Sequence, residues 1–361
     1  MKNLIFFCPF IYDGGLEKTL KIYTEYFSKF YKVTLITNSK NVKKKKISKN
    51  VSIINPEIKF FYNRRYLNNF FCIFLLLKLF KSKSIVFSMQ DHIFLLVINF
   101  FFQRYKIVIR TANAIINDKN LHEQKYLKKY KYIKIISSFI YKLSDLIITF
   151  SNENKKYLSK FIENKKIHVV YNYFSIKKKI KRKKKLKIYN IFFIGRLTED
   201  KDPEFFLNNL ATLKKDLEIK AHIVGKGNLS KKIKTTFINY PNLGFFYGYK
   251  KFPFKRYFKK IDIFCITSKY DGTPNVLGEA LSYGIPVLAP KHVGLANYVL
   301  GNGKYGYLYK AGDGSSFKKN ISNIIKNYPF AIKKASKGRL SISRFDKKRT
   351  LNKLKKLISN L

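Results

Sequence analysis

The chain has 361 residues and a formal net charge of +53, because 74 lysines and arginines stand against 21 aspartates and glutamates. This length exceeds the usual size of one domain and predicts two. Hydrophobic residues make up 46% of the sequence, enough for each half to bury a core, which excludes a chain that is disordered for lack of apolar side chains.

The positive charge has two explanations. Lysine, isoleucine, asparagine, phenylalanine and tyrosine are over-used together, as an AT-rich coding sequence produces whatever the function. A basic surface also attracts anionic lipids, so we expect an anionic membrane surface as a partner. The basic runs at 43–46 and 177–185 fall in no helix-turn-helix, zinc-finger or RNA-binding pattern. No nucleic-acid partner is therefore expected, and a basic nucleic-acid-binding protein is the less favoured alternative.

The cysteines and the longest apolar runs bear on the compartment. Cys8, Cys72 and Cys265 are few, far apart and inside apolar runs, which predicts no disulfide framework and no metal site and fits a reducing cytoplasm. No cofactor is expected. The runs Phe70–Phe80 and Ile93–Phe102 are shorter than the ~20 residues that a membrane span requires. We expect them to be core, with a face that can rest on a bilayer as in a peripheral protein of the inner face of the cytoplasmic membrane.

Short apolar runs alternate with longer amphipathic ones in the first half, which is typical of βαβ units and a parallel sheet. Gly14 and Gly15 form a turn between the first strand and a helix at Glu17–Phe30. The predicted strands are Leu4–Phe7, Val33–Thr37, Ser84–Phe87, Lys106–Arg110, Leu146–Phe150 and Ile167–Tyr171.

A lysine-rich stretch without a periodic apolar face separates the two halves and predicts a solvated linker at 173–187. The domains on either side are then 1–172 and 188–345. A second set of alternations follows the linker, with a helix around Pro203–Leu213. Its predicted strands are Ile188–Ile194, Ala221–Val224, Leu243–Tyr247, Ile261–Thr267 and Ile285–Ala289. Two such halves predict an α/β protein with two open parallel sheets that face each other across a cleft, and ligands at the carboxyl ends of the strands.

The segment from Ser268 to Pro290, SKYDGTPNVLGEALSYGIPVLAP, contains several signals for the start of a helix. Gly272 permits a turn, Thr273 is a good N-cap, and Pro274 suits the first helical position. The next backbone amides have no acceptor within the helix and carry the positive end of its dipole, which predicts a site for a diphosphate. These amides belong to Asn275, Val276 and Leu277.

Two acidic residues flank these amides. Glu279 lies four residues after Asn275, so it projects from the same face of the helix, one turn deeper. There its carboxylate can accept hydrogen bonds from vicinal hydroxyls such as those of a ribose. Asp271 precedes Glu279 by eight positions, on the turn into the helix, where its carboxylate can hold hydroxyls of a transferred sugar.

This arrangement resembles the E-x7-E motif of retaining glycosyltransferases of the GT4 type, whose variant reads E-G-x-P-N-V-x-x-E-A followed by G-x-P-V. Here residues 271–280 read DGTPNVLGEA, and Gly284, Pro286 and Val287 follow at the family spacing. The first acid is Asp271 rather than glutamate and reaches about one methylene less far. This residue is where the chain departs from the family's pattern, and the departure affects how the donor sugar would be oriented.

The same family carries G-R-L-x-x-x-K after the first strand of its second domain, and Gly195, Arg196, Leu197 and Lys201 stand at that spacing. The resemblance implies that Arg196 and Lys201 hold the donor diphosphate, where two cations offset the negative charge that grows as the glycosidic bond breaks. On the residues alone, an arginine and a lysine at a solvated helix start are the alternative. Gly225, in the Gly-Lys-Gly turn after the next strand, resembles a further glycine turn of the family.

In the first half, Gly14 and Gly15 resemble the glycine-rich loop that approaches the donor phosphates, with a plain strand-to-helix turn as the alternative. Asn113, in IVIRTAN, resembles a residue of the strand-end segment near the acceptor. His92 follows a predicted strand and can line the acceptor side, with a surface or satisfied core histidine as the alternative.

The resemblance implies the GT-B architecture of two facing Rossmann-like domains, with the last helix, about 346–361, packing back on the first. It implies transfer, with retention and without a metal, of a hexose or N-acetylhexosamine from a nucleotide sugar to a saccharide. UDP is favoured over GDP by the P-N-V variant of the motif. We expect a polyprenyl-linked acceptor, as in the synthesis of O-antigen, capsule or lipooligosaccharide. A sugar-nucleotide epimerase of the same architecture is the alternative.

Overall fold

The computed structural model describes residues 2–11, 15–40, 42, 47, 49–80, 84–111, 135–177, 187–269, 275–291 and 296–361. The chain divides into two compact units. Unit 1 consists of residues 1–171 and 348–361, and unit 2 consists of residues 172–347. Each unit is built around one parallel sheet with helical crossovers.

In the part of unit 1 that the structure describes, the sheet has seven parallel strands in the spatial order β3-β2-β1-β4-β5-β6-β7. The strands are β1 Asn3–Phe7, β2 Lys32–Ile36, β3 Ser52–Ile54, β4 Ser84–Ser88, β5 Tyr105–Arg110, β6 Leu146–Thr149 and β7 Ile167–Val169. The helices are α1 Gly15–Phe27, α2 Arg65–Leu79, α3 His92–Phe102 and α4 Asn152–Leu158, and the last helix of the chain, Lys347–Ser359, lies almost wholly in this unit.

Unit 1 has a core on both faces of its sheet. On one face, the ring of Phe6 lies 6.1 Å from that of Phe27 in α1 and 5.2 Å from that of Phe87. On the other face, α2, α3 and α4 pack their apolar residues against the strands. Because both faces are covered, the strands read as continuous apolar runs, as buried parallel strands do.

The last helix, Lys347–Ser359, packs against α1. The hydroxyl of Tyr26 donates a hydrogen bond of 2.6 Å to Asn352 Oδ1. The ammonium of Lys355 lies 3.5 Å from the centre of the Phe30 ring. These contacts cover the outer side of α1 with a segment that comes from the far end of the sequence.

Among the described residues of unit 2, the sheet has six parallel strands in the spatial order β10-β9-β8-β11-β12-β13. The strands are β8 Tyr189–Ile194, β9 Ile219–Val224, β10 Gly244–Phe246, β11 Ile263–Cys265, β12 Val287–Pro290 and β13 Tyr307–Tyr309. The helices are α5 Pro203–Leu213, α6 Ser230–Asn239, α7 Pro253–Tyr257, α8 Asn275–Ser282, α9 Ala296–Val299, α10 Gly314–Lys326 and α11 Tyr328–Ser341. The last helix of the chain, Lys347–Ser359, is α12.

Part of the predicted linker is packed into unit 2. The backbone amide of Phe174 donates to Phe345 O at 3.0 Å, and that of Lys177 donates to Ser282 O at 3.1 Å. Phe174 is buried, and its ring lies 5.6 Å from that of Phe345. The basic residues 178–186 lie outside the part of the chain that the structure describes.

The prediction of an α/β protein with two Rossmann-like parallel sheets is confirmed. The apolar runs Phe70–Phe80 and Ile93–Phe102 form most of α2 and α3, whose inward residues belong to the core of unit 1. Within the described ranges, none of the helices combines the length and the apolar character needed to cross a membrane.

Candidate functional site

The loops at the carboxyl ends of β8, β9 and β10 are joined by backbone hydrogen bonds. The amide of Gly195 donates to Val224 O at 3.1 Å, and the amide of Gly225 donates to Gly248 O at 2.9 Å. This edge of an open parallel sheet is where ligands bind in such folds.

Glycine is required in these loops because the backbones approach closely. A Cβ on Gly225 would lie 1.9 Å from Gly195 O, and one on Gly227 would lie 2.2 Å from Leu197 O. No side chain fits at either position. Glycine thus lets the loops that follow β8 and β9 pack backbone against backbone.

The two predicted cations lie here around one carboxylate. Arg196 Nη2 is 3.2 Å from Asp200 Oδ2, and Lys201 Nζ is 3.8 Å from the same oxygen. The Arg196 side chain is 69% exposed, whereas that of Lys201 is 16% exposed. Asp200 therefore holds two positive side chains side by side. The net charge of these three side chains is +1.

The loop that carries these cations is fastened to the end of β11. Thr267 Oγ1 lies 3.0 Å from Lys201 O and 2.9 Å from Asp202 O. The amide of Lys269 donates to Asp200 O at 2.9 Å. These hydrogen bonds join the cationic loop to residues 267–269, which precede Asp271 in the sequence.

Asp202 ends the same loop and begins α5. Its backbone is left-handed, with φ of 48°, and its carboxylate accepts a hydrogen bond of 3.1 Å from the amide of Phe205. Burial raises the pKa of this carboxyl. The N-cap fixes the point at which the loop turns into the helix.

Helix α8 begins at Asn275 and packs against the first residues of unit 2. Asn172 Nδ2 donates to Asn275 Oδ1 at 2.7 Å. A Cβ on Gly278 would lie 2.3 Å from the Phe174 ring, so glycine allows that ring to lie against the helix. Leu277 is buried, whereas Val276 and Glu279 are partly exposed. Gly284 follows the end of the helix, with a left-handed φ of 67°.

The structure brings Gly195, Arg196, Lys201 and Gly225 together at the carboxyl edge of the unit 2 sheet. It places Gly15 at the first position of α1 in unit 1. Six of the predicted site residues lie outside the described ranges: Gly14, Asn113, Asp271, Gly272, Thr273 and Pro274.

His92 has the environment of a satisfied core histidine. Its Nδ1 lies 2.7 Å from Ser88 Oγ, and its Nε2 lies 3.1 Å from Arg110 O. Burial lowers the pKa of the imidazole to about 4, so the ring is neutral at physiological pH. Both ring nitrogens are engaged inside unit 1, which favours the structural alternative over contact with an acceptor.

Sequence reasoning missed Asp200 and Thr267. Asp200 lies between the two cations of the G-R-L-x-x-x-K pattern, where an acid can pair with either of them. Thr267 is a hydroxyl residue at the carboxyl end of a buried strand, directly before the acidic segment. These two positions in the sequence could have indicated a role at the site. The partners of Thr267, however, lie more than sixty residues away in the sequence.

Two Rossmann-like units of this kind give the chain the fold of GT-B glycosyltransferases. The family model described as "Glycosyl transferases group 1" matches residues 172–341, which is nearly all of unit 2. The HepE protein of Anabaena, solved in complex with UDP and glucose, is 17% identical with a TM-score of 0.76, and 100% of both chains is covered.

Two curated relatives are glycosyltransferases by name. An uncharacterized glycosyltransferase of Methanocaldococcus jannaschii is 30% identical over 174 residues, or 44% of this chain and 43% of the relative. This chain thus spans less than half the length of that protein. An α-1,4-N-acetyl-D-galactosaminyltransferase of Campylobacter jejuni, named for a GalNAc-containing saccharide on diNAcBac-PP-undecaprenol, is 24% identical over 345 residues, covering 91% of this chain and 90% of the relative.

Proposed function

We propose that this protein is a retaining glycosyltransferase that moves a hexose or N-acetylhexosamine from a nucleotide sugar to a saccharide acceptor. The observation that carries the proposal is the cationic loop Arg196–Lys201, fastened by Thr267 to the segment that leads into α8. This loop lies at the ligand-binding edge of a unit that matches a family of glycosyltransferases.

The donor diphosphate binds at the ends of β8 and β9. Its oxygens approach the backbone of Gly195 and Gly225, where side chains are absent, and pair with Arg196 and Lys201. The exposed Arg196 turns from Asp200 to the diphosphate, because two phosphate charges attract the guanidinium more strongly than one carboxylate does. These cations stabilise the charge that develops on the leaving diphosphate as the glycosidic bond breaks.

Helix α8 binds the rest of the donor. The amides of Asn275 and Val276 begin the helix and point at the diphosphate, with the helix dipole favouring its charge. Glu279, one turn further along, accepts hydrogen bonds from the ribose hydroxyls. Asp271 holds hydroxyls of the transferred sugar; this role, and those of Gly272, Thr273 and Pro274, rest on the sequence pattern.

In the transfer step, the bond from the anomeric carbon to the diphosphate oxygen breaks, and a bond from that carbon to the acceptor oxygen forms on the same face. The acceptor proton passes to the departing phosphate oxygen, which serves as the base. The protein then contributes positioning and charge stabilisation rather than a nucleophile. The P-N-V sequence of the motif and the UDP bound to the Anabaena protein support UDP as the nucleotide.

The acceptor is a polyprenyl-linked saccharide at the inner face of the cytoplasmic membrane. The name of the Campylobacter relative, which contains an undecaprenol-linked saccharide, supports this assignment. The net charge of +53 also supports it, because the bilayer that holds such an acceptor presents anionic phosphates.

Calorimetric titration with UDP, GDP and ADP tests the donor site, followed by hydrolysis of sugar nucleotides that carry the preferred base. We expect UDP to bind most tightly and Arg196→Ala to weaken it by about tenfold or more, since a charge-assisted hydrogen bond is lost. Lys319→Ala, on the exposed side of α10, is the control for removal of one cation. Equal UDP affinity in all three proteins would contradict the proposal.

Glu279→Gln separates the ribose from the phosphates. This variant should bind UDP more weakly and pyrophosphate as tightly as the wild type does. If it kept full activity at low donor concentration, the ribose assignment would be wrong. Conversion of the free sugar nucleotide without any acceptor would instead indicate an epimerase.

A further inference from the structure

Helix α2 exposes a row of aromatic side chains. Tyr66, Phe70 and Phe74 are spaced four residues apart, so they lie along one side of the helix, and Lys78 continues the row. Tyr66 is 69% exposed and Phe74 is 58% exposed. The opposite side of α2 packs into the core of unit 1. The row is therefore a surface feature and not part of the core.

Helix α3 adds a second group of exposed rings beside the first. It ends in Phe100, Phe101 and Phe102, of which Phe101 is 76% exposed. The two helices contact each other at both ends. Near their starts, the ring of Phe94 lies 4.6 Å from that of Phe70. Near their ends, Arg104 Nη1 donates to Leu77 O at 3.3 Å.

We call this surface the α2–α3 face, and its six aromatic residues are Tyr66, Phe70, Phe74, Phe100, Phe101 and Phe102. Exposed apolar residues scattered singly are ordinary on soluble proteins. Two helices in contact that each expose several rings form a patch, and such patches mark interaction surfaces.

The charges around the face select its partner. Helices α2 and α3 contain neither aspartate nor glutamate. At the rim, the guanidinium of Arg64 lies 3.8 Å from the centre of the Phe60 ring, and that of Arg104 lies 5.5 Å from the centre of the Phe102 ring. Lys78 adds a third cation. A partner that fits this face is apolar within and anionic at its surface.

An anionic lipid bilayer has both properties. Phenyl rings partition to the boundary between headgroups and acyl chains, while arginine and lysine reach the lipid phosphates. A second copy of this chain fits less well, because its own charge of +53 would oppose the approach. We propose that the protein docks on anionic membranes through the α2–α3 face. This inference extends the proposed membrane-bound acceptor, but its test does not use catalysis.

The test is sedimentation of the full chain with vesicles of phosphatidylglycerol and phosphatidylcholine, and with vesicles of phosphatidylcholine alone. We expect the wild type to sediment with the anionic vesicles and to be released by high salt, which screens the rim cations. The double variant Phe74→Ser/Phe101→Ser should lower the partition coefficient by about tenfold or more, since two exposed rings no longer enter the interface.

A matched control removes two comparably exposed apolar side chains from unit 2, Ile238→Ser/Phe330→Ser. This control should sediment like the wild type. Equal sedimentation of Phe74→Ser/Phe101→Ser and the wild type would overturn the proposal, and so would an equal loss in both double variants. A wild type that ignores anionic vesicles but changes from dimer to monomer in the Phe74→Ser/Phe101→Ser variant would make this face a contact between copies and also overturn it.

The donor site provides a separate measurement on the same proteins. UDP affinity should be unchanged in Phe74→Ser/Phe101→Ser, because both rings lie in unit 1 and the proposed diphosphate site lies in unit 2. Loss of vesicle binding with normal UDP affinity then supports the membrane face. Absence of UDP binding in every protein would refute the proposed function while leaving the vesicle result intact.

Discussion

Replacement of Thr267 by valine tests whether the cationic loop is held in place for the donor. Valine has the shape of threonine without the hydroxyl, and Thr267 is only 4% exposed, so the strand end should keep its packing. The substitution removes the hydrogen that Oγ1 offers to Lys201 O at 3.0 Å and Asp202 O at 2.9 Å.

The expected magnitudes follow from that loss. One hydroxyl proton serves one carbonyl at a time, so the variant loses about 1–2 kcal/mol of the free energy of unfolding. If the freed loop must be ordered again when the donor binds, fixing a single residue costs about 1–2 kcal/mol. A cost of this size corresponds to a roughly tenfold weaker affinity for UDP.

Urea unfolding and calorimetric titration with UDP measure the two effects. Thr267→Ser should keep the UDP affinity of the wild type, because serine keeps the hydroxyl, and it should lose about 1 kcal/mol of stability with the buried methyl group. Tyr309→Phe is the matched control, because it removes a buried hydroxyl of the same region whose hydrogen bond of 3.2 Å goes to Ile266 O and not to Lys201 O or Asp202 O. This control should lose stability and keep its UDP affinity. If Thr267→Val were less stable but bound UDP as tightly as the control, the proposed fastening of the loop would be refuted.

Further predictions concern pH, a glycine and a helix cap. Burial lowers the pKa of His92 and His222 to about 4 from 6.5. As the pH falls, these histidines bind protons in the unfolded chain before they do so in the folded protein. The free energy of unfolding should therefore decrease between pH 6.5 and pH 4, by about 1.4 kcal/mol per pH unit for each histidine. A free energy of unfolding that stayed constant over this range in urea unfolding would contradict this. Gly225→Ala puts a Cβ 1.9 Å from Gly195 O and should cost about 1–3 kcal/mol, seen as a lower melting temperature. Asp313→Ala removes the N-cap of α10 and should cost about 1 kcal/mol in urea unfolding, and an unchanged midpoint would argue against the cap.

The sequence predicted the central strands well because each is a continuous apolar run between turn residues. Two strands were not predicted, β3 at Ser52–Ile54 and β13 at Tyr307–Tyr309. Both have three residues at an edge of their sheet, as β7 and β10 do, but β7 and β10 lie within the longer runs Ile167–Tyr171 and Leu243–Tyr247 that predicted them. Such short segments become strands because the adjacent strand offers backbone partners, and that neighbour cannot be identified from local sequence.

The spacing of Gly195, Arg196 and Lys201 predicted residues that the structure brings together, because a single turn fixes their separation. The contact between Thr267 and this loop depends on which strand ends are neighbours, which local spacing does not report. His92 shows the converse. Its position after a strand looks functional, but its environment depends on Arg110 O in the next strand.

Unit 1 is assembled from two stretches of the chain, and this has a consequence for synthesis on the ribosome. Residues 1–171 emerge before unit 2, whereas 348–361 emerge after it. At about 5–20 residues per second, the intervening segment takes roughly 10–35 s to translate. Throughout that interval Tyr26 and Phe30 lack the partners that α12 later supplies. The outer side of α1 is therefore completed only when α12 has been made, after the whole of unit 2.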